Sequence, residues 1–304
     1  MNQPQVAAVV VTYNRRALLL QALAAIENQT RVPDTVIVID NASSDGSAAV
    51  VRSEHPKVQL LEMAHNLGGA GGFAAGIDAA LTDGADLVWL MDDDTVPGPE
   101  ALAQLLQARE HRPGERPVIV ASRVEWTNGA PHPMNTPRRK PFVSRAELDA
   151  AQHVGCLPIR SASFVSVLID AAAARERGLP IADYFLWNDD FEYTARLLRH
   201  GFGMLCPRSV VVHKTATFGA SETDPGARFY YEVRNKVWTL RCSDALSPLE
   251  RGLYGGATVR RWGRTFWHST DRAQLWRCLS RGIRDGLRTQ PRPTKEILAE
   301  HSHS

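Results

Sequence analysis

Val6–Thr12 has the sequence VAAVVVT, an unbroken and largely β-branched run that predicts a strand buried on both faces of a parallel sheet. A helix is predicted after it, from about residue 16 to residue 28, and Thr35–Asp40 (TVIVID) is predicted to be a second buried strand. The alternation continues with a helix at Ser47–His55, a strand at Val58–Glu62, a helix at Gly72–Asp83 and a strand at Asp86–Met91. Alternating strands and helices predict right-handed crossovers, so we expect an α/β fold with a doubly wound, mostly parallel central sheet.

The second half of the chain has a weaker pattern. Six prolines and a basic triplet, Arg138–Lys140, lie between residues 111 and 145 and predict a long surface loop. Short strands are predicted again at Ser163–Ile169 and Ser209–His213, with a helix between them at Phe191–His200.

The composition is that of an ordinary globular protein. Of the 304 residues, 44% are hydrophobic and 22% are charged, which excludes a disordered chain. The longest apolar runs fall far short of the roughly 18 residues that span a bilayer, and Met1–Gln5 lacks the basic and apolar regions of a signal peptide. The four cysteines form no CxxC pair, which argues against a zinc knuckle or a disulfide framework. We therefore expect a protein of the reducing cytosol.

The net charge of +2 conceals an uneven distribution along the chain. Residues 1–233 carry 21 Lys and Arg against 27 Asp and Glu, whereas residues 234–295 carry 14 basic and only four acidic residues. We expect two parts: a mildly acidic domain over residues 1–233 and a basic, Trp- and Arg-rich helical extension over residues 234–304. The basic part predicts an anionic partner.

Three consecutive carboxylates, Asp92, Asp93 and Asp94, follow the strand that ends near Met91. They repel one another unless a cation neutralises them, and hard divalent ions such as Mg²⁺ and Mn²⁺ take oxygen ligands of this kind. In an extended backbone Asp92 and Asp94 point to the same side and Asp93 to the other. The alternative is an acidic turn that caps the strand and the following helix.

Two further segments and one histidine have the residue types of a ligand site. Asn66–Gly72 (NLGGAGG) lets backbone approach a ligand closely and places an anion at a helix start, although a tight strand–helix connection explains it equally well. Trp187–Glu192 (WNDDFE) combines a flat aromatic ring with carboxylates, as sugar sites do, but also suits a helix N-cap. His213 is either a metal ligand or a structural histidine.

Taken in order, these motifs resemble those of the family-2 glycosyltransferases, and among them the bacterial galactofuranosyltransferases that build cell-wall galactan. The matching segments, over about residues 5–240, are VVVTYNR (Val9–Arg15), VIDNASSDGS (Val38–Ser47), NLGGAGGFAAG (Asn66–Gly76), WLMDDD (Trp89–Asp94), WNDDFEY (Trp187–Tyr193) and VVHK (Val211–Lys214). YYEVRN (Tyr230–Asn235) also resembles a family segment near the diphosphate. The resemblance implies a Rossmann-like GT-A domain and an inverting, metal-dependent transfer from a nucleotide sugar. Related rhamnosyltransferases share much of this pattern.

The resemblance also implies a role for individual residues. The nucleotide-sugar donor would be bound by Thr12, Asn14, Arg15, Asp40, Asn66, Gly68, Gly69 and Asp93. Mn²⁺ or Mg²⁺ would be bound by Asp92, Asp94 and His213. Asp190 would be the general base that deprotonates the acceptor hydroxyl, while Trp187 and Asp189 would position the acceptor. Since Asn188 precedes the acid pair, Asp189 is an alternative base.

The basic extension has apolar residues at helical spacing, surrounded by arginines and by Trp238, Trp262, Trp267 and Trp276. Such helices suit an anionic membrane surface, although an ordinary helical extension that packs its apolar stripe on the body is the alternative. The resemblance favours the membrane, because such enzymes often act on polyprenyl-diphosphate-linked glycans. No nucleic-acid-binding module accompanies the charge, so we expect no nucleic-acid partner.

The sequence thus predicts a glycosyltransferase that moves galactofuranose from UDP-galactofuranose to a lipid-linked or cell-wall glycan, from a peripheral position at the inner face of the plasma membrane. A rhamnosyltransferase using dTDP-rhamnose is the alternative within the same fold. A nucleotidyltransferase also uses Asp-rich metal sites, but it usually has an early glycine-rich, basic loop, which VVVTYNR is not. A non-catalytic carbohydrate-binding protein would not need an acid pair together with a metal cluster.

Overall fold

The computed structural model describes residues 3–111, 115–215 and 224–301. The strands are β1 (Val6–Thr12), β2 (Thr35–Asp40), β3 (Gln59–Glu62), β4 (Leu87–Asp92), β5 (Thr95–Pro97), β6 (Ile119–Glu125), β7 (Arg138–Arg139), β8 (Leu157–Ser161), β9 (Val167–Asp170) and β10 (Gly203–His213). The helices are α1 (Arg16–Glu27), α2 (Ser47–Glu54), α3 (Gly68–Thr82), α4 (Ala101–His111), α5 (Arg145–His153), α6 (Ala171–Arg177), α7 (Asp189–His200), α8 (Phe229–Cys242), α9 (Pro248–His268), α10 (Arg272–Arg288) and α11 (Thr294–His301).

The strands form one sheet in the order β3-β2-β1-β4-β9-β6-β10-β8-β7, with β5 paired to β10. Strands β3, β2, β1 and β4 are parallel, and β6 and β10 run in the same direction. Strand β9 lies antiparallel between β4 and β6. The predicted α/β fold with a mostly parallel central sheet is therefore confirmed.

Helices cover both faces of the sheet because the residues of β1 alternate between two cores. Val9 and Val11 pack with α3, α7 and α11, whereas Ala8 and Val10 pack with α1, α2 and α4. Helix α3 lies unusually close to β1: a Cβ on Gly72 would be 2.5 Å from Val11 Cγ1, and one on Gly76 would be 2.2 Å from Val9 Cγ1. Part of the glycine-rich segment therefore serves packing of helix on sheet.

The prediction of a long loop between residues 111 and 145 is wrong in part. Ile119–Glu125 forms β6, a central strand with β9 on one side and β10 on the other. The prolines flank this strand and do not interrupt it. Its apolar residues are buried because strands distant in the sequence pair with it on both sides.

The C-terminal helices α8–α11 pack on the body and on one another. Gly282 and Gly286 bring α10 against α8, since a Cβ on either would be 2.8 Å or less from a valine Cβ of that helix. Residue 233, where the charge of the sequence changes, lies inside α8. The start of α9 is tied to β8 by the buried Arg160, whose Nε lies 2.6 Å from Glu250 Oε1. Over the described residues, no helix is both long and apolar enough to cross a membrane.

Candidate functional site

The carboxyl end of β4 meets the end of β10 through the short strand β5. Asp92 ends β4, Asp93 and Asp94 form the turn, and Thr95 of β5 pairs with His213 at the end of β10. This pairing brings a histidine that is far away in sequence to the three carboxylates. The acidic turn and His213 therefore share the edge of the sheet at which ligands of such folds bind.

Asp92, Asp94 and His213 each offer one ligand atom, and these atoms lie within 4.8 Å of one another around a common point. His213 Nε2 is 2.9 Å from the buried Asp94 Oδ1. A cation at this point would take both atoms as ligands. Two carboxylates and an imidazole also suit a hard or borderline divalent ion. The residues present therefore fit the metal that the resemblance implies.

The orientation of His213 is fixed by residues that sequence reasoning missed. Its Nδ1 lies 2.9 Å from Asn135 Oδ1, and the ring of the fully buried His132 packs on it with a centroid distance of 4.9 Å. With Nδ1 bound to an amide oxygen, Nε2 faces the carboxylates. Both residues lie in the segment predicted to be a loop, and no motif marked them.

Burial and charge shift the pKa values of the cluster in opposite directions. Burial and the neighbouring charge of Asp94 raise the pKa of Asp92 to about 7, and burial raises the pKa of Asp93 to about 6. Burial also disfavours the charged forms of Asp94 and His213. The contact between the two groups outweighs this effect of burial, so the pKa of Asp94 is lowered and that of His213 is raised. Of the three carboxyl groups, Asp94 is therefore the one whose ionised form is stabilised most.

Asp93 points away from that point and is engaged by the chain itself. Its Oδ2 accepts a hydrogen bond of 2.8 Å from Thr12 Oγ1 and one of 3.3 Å from the amide of Tyr13. Arg15 Nη1 bridges Asp93 at 3.3 Å and Asp94 at 2.6 Å. The predicted donor residues Thr12, Arg15 and Asp93 are thus brought together beside the candidate metal site.

Asp40 and Asn14 form a second polar cluster, at the ends of β2 and β1. Asp40 Oδ2 accepts a hydrogen bond of 3.2 Å from the amide of Ser43, while its buried Oδ1 has no hydrogen-bond partner among the residues that the structure describes. Asn14 has φ +53° and accepts a hydrogen bond of 2.7 Å from the amide of Ser44. Burial raises the pKa of Asp40. An unpartnered buried acceptor of this kind suits an N–H or hydroxyl group of a ligand.

The glycine-rich segment forms the start of α3, beside the acid pair. Asn66 Oδ1 accepts a hydrogen bond of 2.7 Å from the amide of Gly68, which has φ +69°. A Cβ on Gly69 would lie 3.8 Å from Asp189 Oδ2. Asn41, buried and assigned no role from the sequence, donates a hydrogen bond of 3.0 Å to the carbonyl of Gly68. The segment is thus held both by Asn41, directly after β2, and by its own turn.

The acid pair begins α7, directly after a segment with unusual backbone geometry. Phe185, Trp187 and Asn188 have φ values of +64°, +65° and +66°, and each such residue costs about 1–3 kcal/mol. Strain of this size persists at sites where the surrounding structure holds it in place. Burial raises the pKa of both Asp189 and Asp190, more strongly at Asp189.

One cavity of about 570 Å³ reaches Gly69, Asp92 and the acid pair, whereas Asp94, His213 and the cluster of Asp40 and Asn14 do not line it. Residues of helices α8 and α9 line it too. Its lining has four cationic side chains and an indole: Arg138, Arg228, Lys236, Arg261 and Trp262. Sequence reasoning assigned these arginines to solvent, to a loop or to a membrane surface, and only the fold brings them to the cavity.

The comparisons with known proteins agree with this architecture. The model of the family "Glycosyl transferase family 2" matches residues 7–168. Galactofuranosyltransferase GlfT1 of Mycolicibacterium smegmatis is 34% identical over 220 residues, which are 70% of this chain and 72% of the relative.

Solved structures show the same fold at lower identity. TarS 1-349 of S. aureus, solved with UDP-GlcNAc, is 15% identical with a TM-score of 0.62, over 93% of this chain and 81% of that one. The mannosyltransferase PcManGT of Pyrobaculum calidifontis, solved with GDP-Man and Mn²⁺, is 19% identical with a TM-score of 0.56, over 98% and 79%. The expected GT-A type of fold is confirmed.

Proposed function

The chain belongs to glycosyl transferase family 2 and is a nucleotide-sugar-dependent glycosyltransferase, and on this premise we propose that it moves galactofuranose from UDP-galactofuranose to a lipid-linked or cell-wall glycan with inversion. The observation that carries the proposal is the single cavity that contains both Asp92 and the acid pair. A donor diphosphate beside Asp92 and an acceptor hydroxyl beside the acid pair would meet there. The similarity to a galactofuranosyltransferase supports this sugar.

Asp92, Asp94 and His213 would hold Mn²⁺ or Mg²⁺ next to the donor diphosphate. The ion, when bound, supplies positive charge that stabilises the leaving nucleoside diphosphate. His213 and, after it, Arg15 lower the pKa of Asp94, and Asn135 orients the imidazole. The clustered geometry and the donor set of two carboxylates and an imidazole support this assignment.

The other donor residues would bind the nucleoside and border the sugar. Asp40, with its free buried oxygen, would accept a hydrogen bond from the uridine, and Asn14 and Thr12 lie at the neighbouring strand end. Asn66, Gly68 and Gly69 would border the sugar, as would Asp93, which holds Thr12 and Arg15 in place.

Asp190 would be the general base, and Asp189 would position the acceptor together with Trp187. A base must be ionised to accept a proton. Burial raises the pKa of both carboxyls, but at Asp190 the positive charges of Lys236 and Arg138 oppose the rise, whereas the charge of Asp190 adds to it at Asp189. This difference favours Asp190.

The cationic side chains of the cavity support an acceptor that carries phosphate. Lys236 is only 5% exposed, lines the cavity and has its ammonium over the ring of Phe191 at 4.5 Å. Arg138, Arg228 and Arg261 line the same cavity. Arginine and lysine together are suited to bind phosphate oxygens. A polyprenyl-diphosphate-linked glycan would satisfy both these cations and the acid pair.

A donor screen tests the proposal directly. The protein is incubated with UDP-galactofuranose or dTDP-rhamnose and a synthetic lipid-linked acceptor, with and without Mn²⁺, and the products are identified by mass spectrometry. Transfer of galactofuranose that requires the ion is the expected result. Transfer of rhamnose alone would replace the donor, and transfer from neither would overturn both assignments.

We further propose that the basic part, residues 234–304, holds the protein peripherally on an anionic membrane, at the inner face of the plasma membrane. One face of α9 is exposed and combines apolar and cationic side chains: Leu249, Leu253, Val259, Arg260, Arg264 and Trp267. Such a face suits the headgroup region of anionic lipid.

Flotation with phosphatidylglycerol vesicles at low salt tests the membrane contact. We expect the protein to float with these vesicles and not with phosphatidylcholine alone. The double variant Arg260→Gln/Arg264→Gln should float less, whereas Arg145→Gln, which removes an exposed arginine of α5, should float as the native protein does. Absence of flotation on anionic vesicles would refute the contact.

A further inference from the structure

The backbone before the acid pair adopts a conformation that needs external support. Three non-glycine residues within four positions, Phe185, Trp187 and Asn188, have positive φ. Side chains rarely tolerate this region, and Phe185, with ψ −63°, lies in the strained geometry of a γ-turn. Without restraint, the segment would relax and carry the first turn of α7 with it.

Asn235 of α8 supplies that restraint. It is completely buried, and its side-chain Nδ2 donates to the carbonyls of Tyr184 at 2.8 Å, Leu186 at 2.9 Å and Trp187 at 2.9 Å. The two N–H groups of this one amide thus face three carbonyls of the strained segment, those of residues 184, 186 and 187. Such carbonyls, buried beside a helix, need donors.

Two neighbours of Asn235 extend the contact along the segment. Arg234 donates to the carbonyl of Asp183 at 2.6 Å. Glu232 Oε2 accepts a hydrogen bond of 2.8 Å from Asn188, the residue before the acid pair. Helix α8 is itself fixed, because α10 packs closely against it.

We propose that Asn235 is a positioning residue for the transfer reaction: its amide holds residues 184–187 so that Asp189 and Asp190 face the cavity. The inference rests on the proposed function, because the acid pair is assigned to the reaction there. Asn235 does not line the cavity, so it acts only through the backbone. Aspartate has the same shape but would place an acceptor against three carbonyl oxygens. Alanine would remove the side-chain donor from all three, and only the carbonyl of Tyr184 would keep other donors, the amide of Leu186 and Arg234 Nη2.

The test uses Asn235→Ala with a matched control, Thr239→Val. Thr239 is equally buried on α8, and its hydroxyl lies 3.1 Å from that of Tyr184, but it does not contact the carbonyls of residues 185–187. We expect Asn235→Ala to lower kcat by about 100-fold, the order of loss for a misplacement near 1 Å, with nucleotide affinity unchanged. Thr239→Val should keep kcat while losing comparable thermal stability.

A second-site change separates positioning from general damage. In the Asn235→Ala background, Phe185→Gly should restore part of the lost kcat, because glycine adopts positive φ without strain. Phe185→Ala also removes the ring that stacks on Tyr231 but cannot relieve the backbone, so it should restore nothing. Equal rescue by both changes, a native kcat in Asn235→Ala, or a parallel loss of nucleotide affinity would overturn the inference.

Hydrogen exchange gives a readout that does not depend on transfer. Asn235→Ala should speed amide exchange over residues 184–190 by at least tenfold, and Phe185→Gly should reverse part of that change. If exchange responds as expected while the native protein transfers no sugar, the proposed function fails and the restraint stands. If the native protein is active and exchange is unchanged, the restraint fails alone.

Discussion

Gly68 lies where the start of α3 meets the strained segment, and replacing it with alanine should damage both stability and transfer. The residue has φ +69°, and a Cβ built on it would be 1.9 Å from the carbonyl oxygen of Phe185. Gly84 provides a matched control, because it has φ +82° but nothing within 4 Å of its Cβ position. Both substitutions place alanine in the left-handed region. Only in Gly68→Ala would the added Cβ also collide with backbone atoms, those of Phe185.

The expected size of each effect follows from these contacts. Left-handed backbone costs alanine about 1–2 kcal/mol at either site. At Gly68 the contact of 1.9 Å must open to at least 3.0 Å, so Phe185 must shift by 1.1 Å. That movement removes the hydrogen bond of 3.2 Å from the amide of Ala70 to this carbonyl, worth about 1 kcal/mol. It also disturbs the stacking of Phe185 on Tyr231, worth about another 1 kcal/mol.

Gly68→Ala should therefore destabilise the protein by about 2 kcal/mol more than Gly84→Ala. Urea unfolding followed by circular dichroism measures this difference in the free energy of unfolding. Transfer should fall about 100-fold in Gly68→Ala, because a 1 Å displacement at Phe185 reaches the acid pair, and should be unchanged in Gly84→Ala. Equal unfolding midpoints for the two variants, with native transfer in Gly68→Ala, would refute the reasoning.

Three other changes address the acid pair, the metal site and the link to α9. Asp190→Asn should abolish transfer and retain nucleotide binding in calorimetry, and substantial residual transfer would assign the base elsewhere, with Asp189→Asn as the comparison. Asp94→Ala should remove the Mn²⁺-dependent part of nucleotide affinity; a gain in affinity on adding Mn²⁺ that is as large in the variant as in the native protein would contradict the metal role. Burial opposes ionisation of Glu250, but the hydrogen bond and charge of Arg160 prevail and lower its pKa from 4.5 to about 2. Because the pKa is depressed in the folded state, this stabilisation is present above pH 4.5 and is lost as the pH falls towards 2. Glu250→Gln should therefore show a smaller loss of unfolding free energy over this interval than the native protein.

The parallel part of the sheet could be predicted from the sequence because its signals are local. Val6–Thr12 and Thr35–Asp40 have the predicted bounds, since a strand buried on both faces needs an unbroken apolar run. The acidic turn was also visible, as carboxylates at the end of such a strand. These features depend on neighbours in sequence.

The rest depends on contacts between distant segments. The prolines around Ile119–Glu125 predict a loop, whereas its burial comes from β9 and β10. Strand β9 runs antiparallel to β4 and β6, and a hydrophobic pattern does not show in which direction a strand runs. Asn135 and Asn235 act through atoms of residues 78 and 48–51 positions away. No motif contains Asn135, and the segment Tyr230–Asn235 does not indicate which carbonyls Asn235 contacts.

Helix α9 has two opposite faces with different environments. Arg261, Trp262 and Thr265 line the cavity, while Leu249, Leu253 and Trp267, half a turn away around the helix, face solvent. If lipid covers the outer face, the thickness of one helix, about 10–12 Å, separates the membrane surface from the inner wall of the cavity. The helix would then fix the distance between the membrane and the cavity. An acceptor anchored in that membrane could place only the sugars close to its lipid at the acid pair, and a long glycan chain would extend past the site.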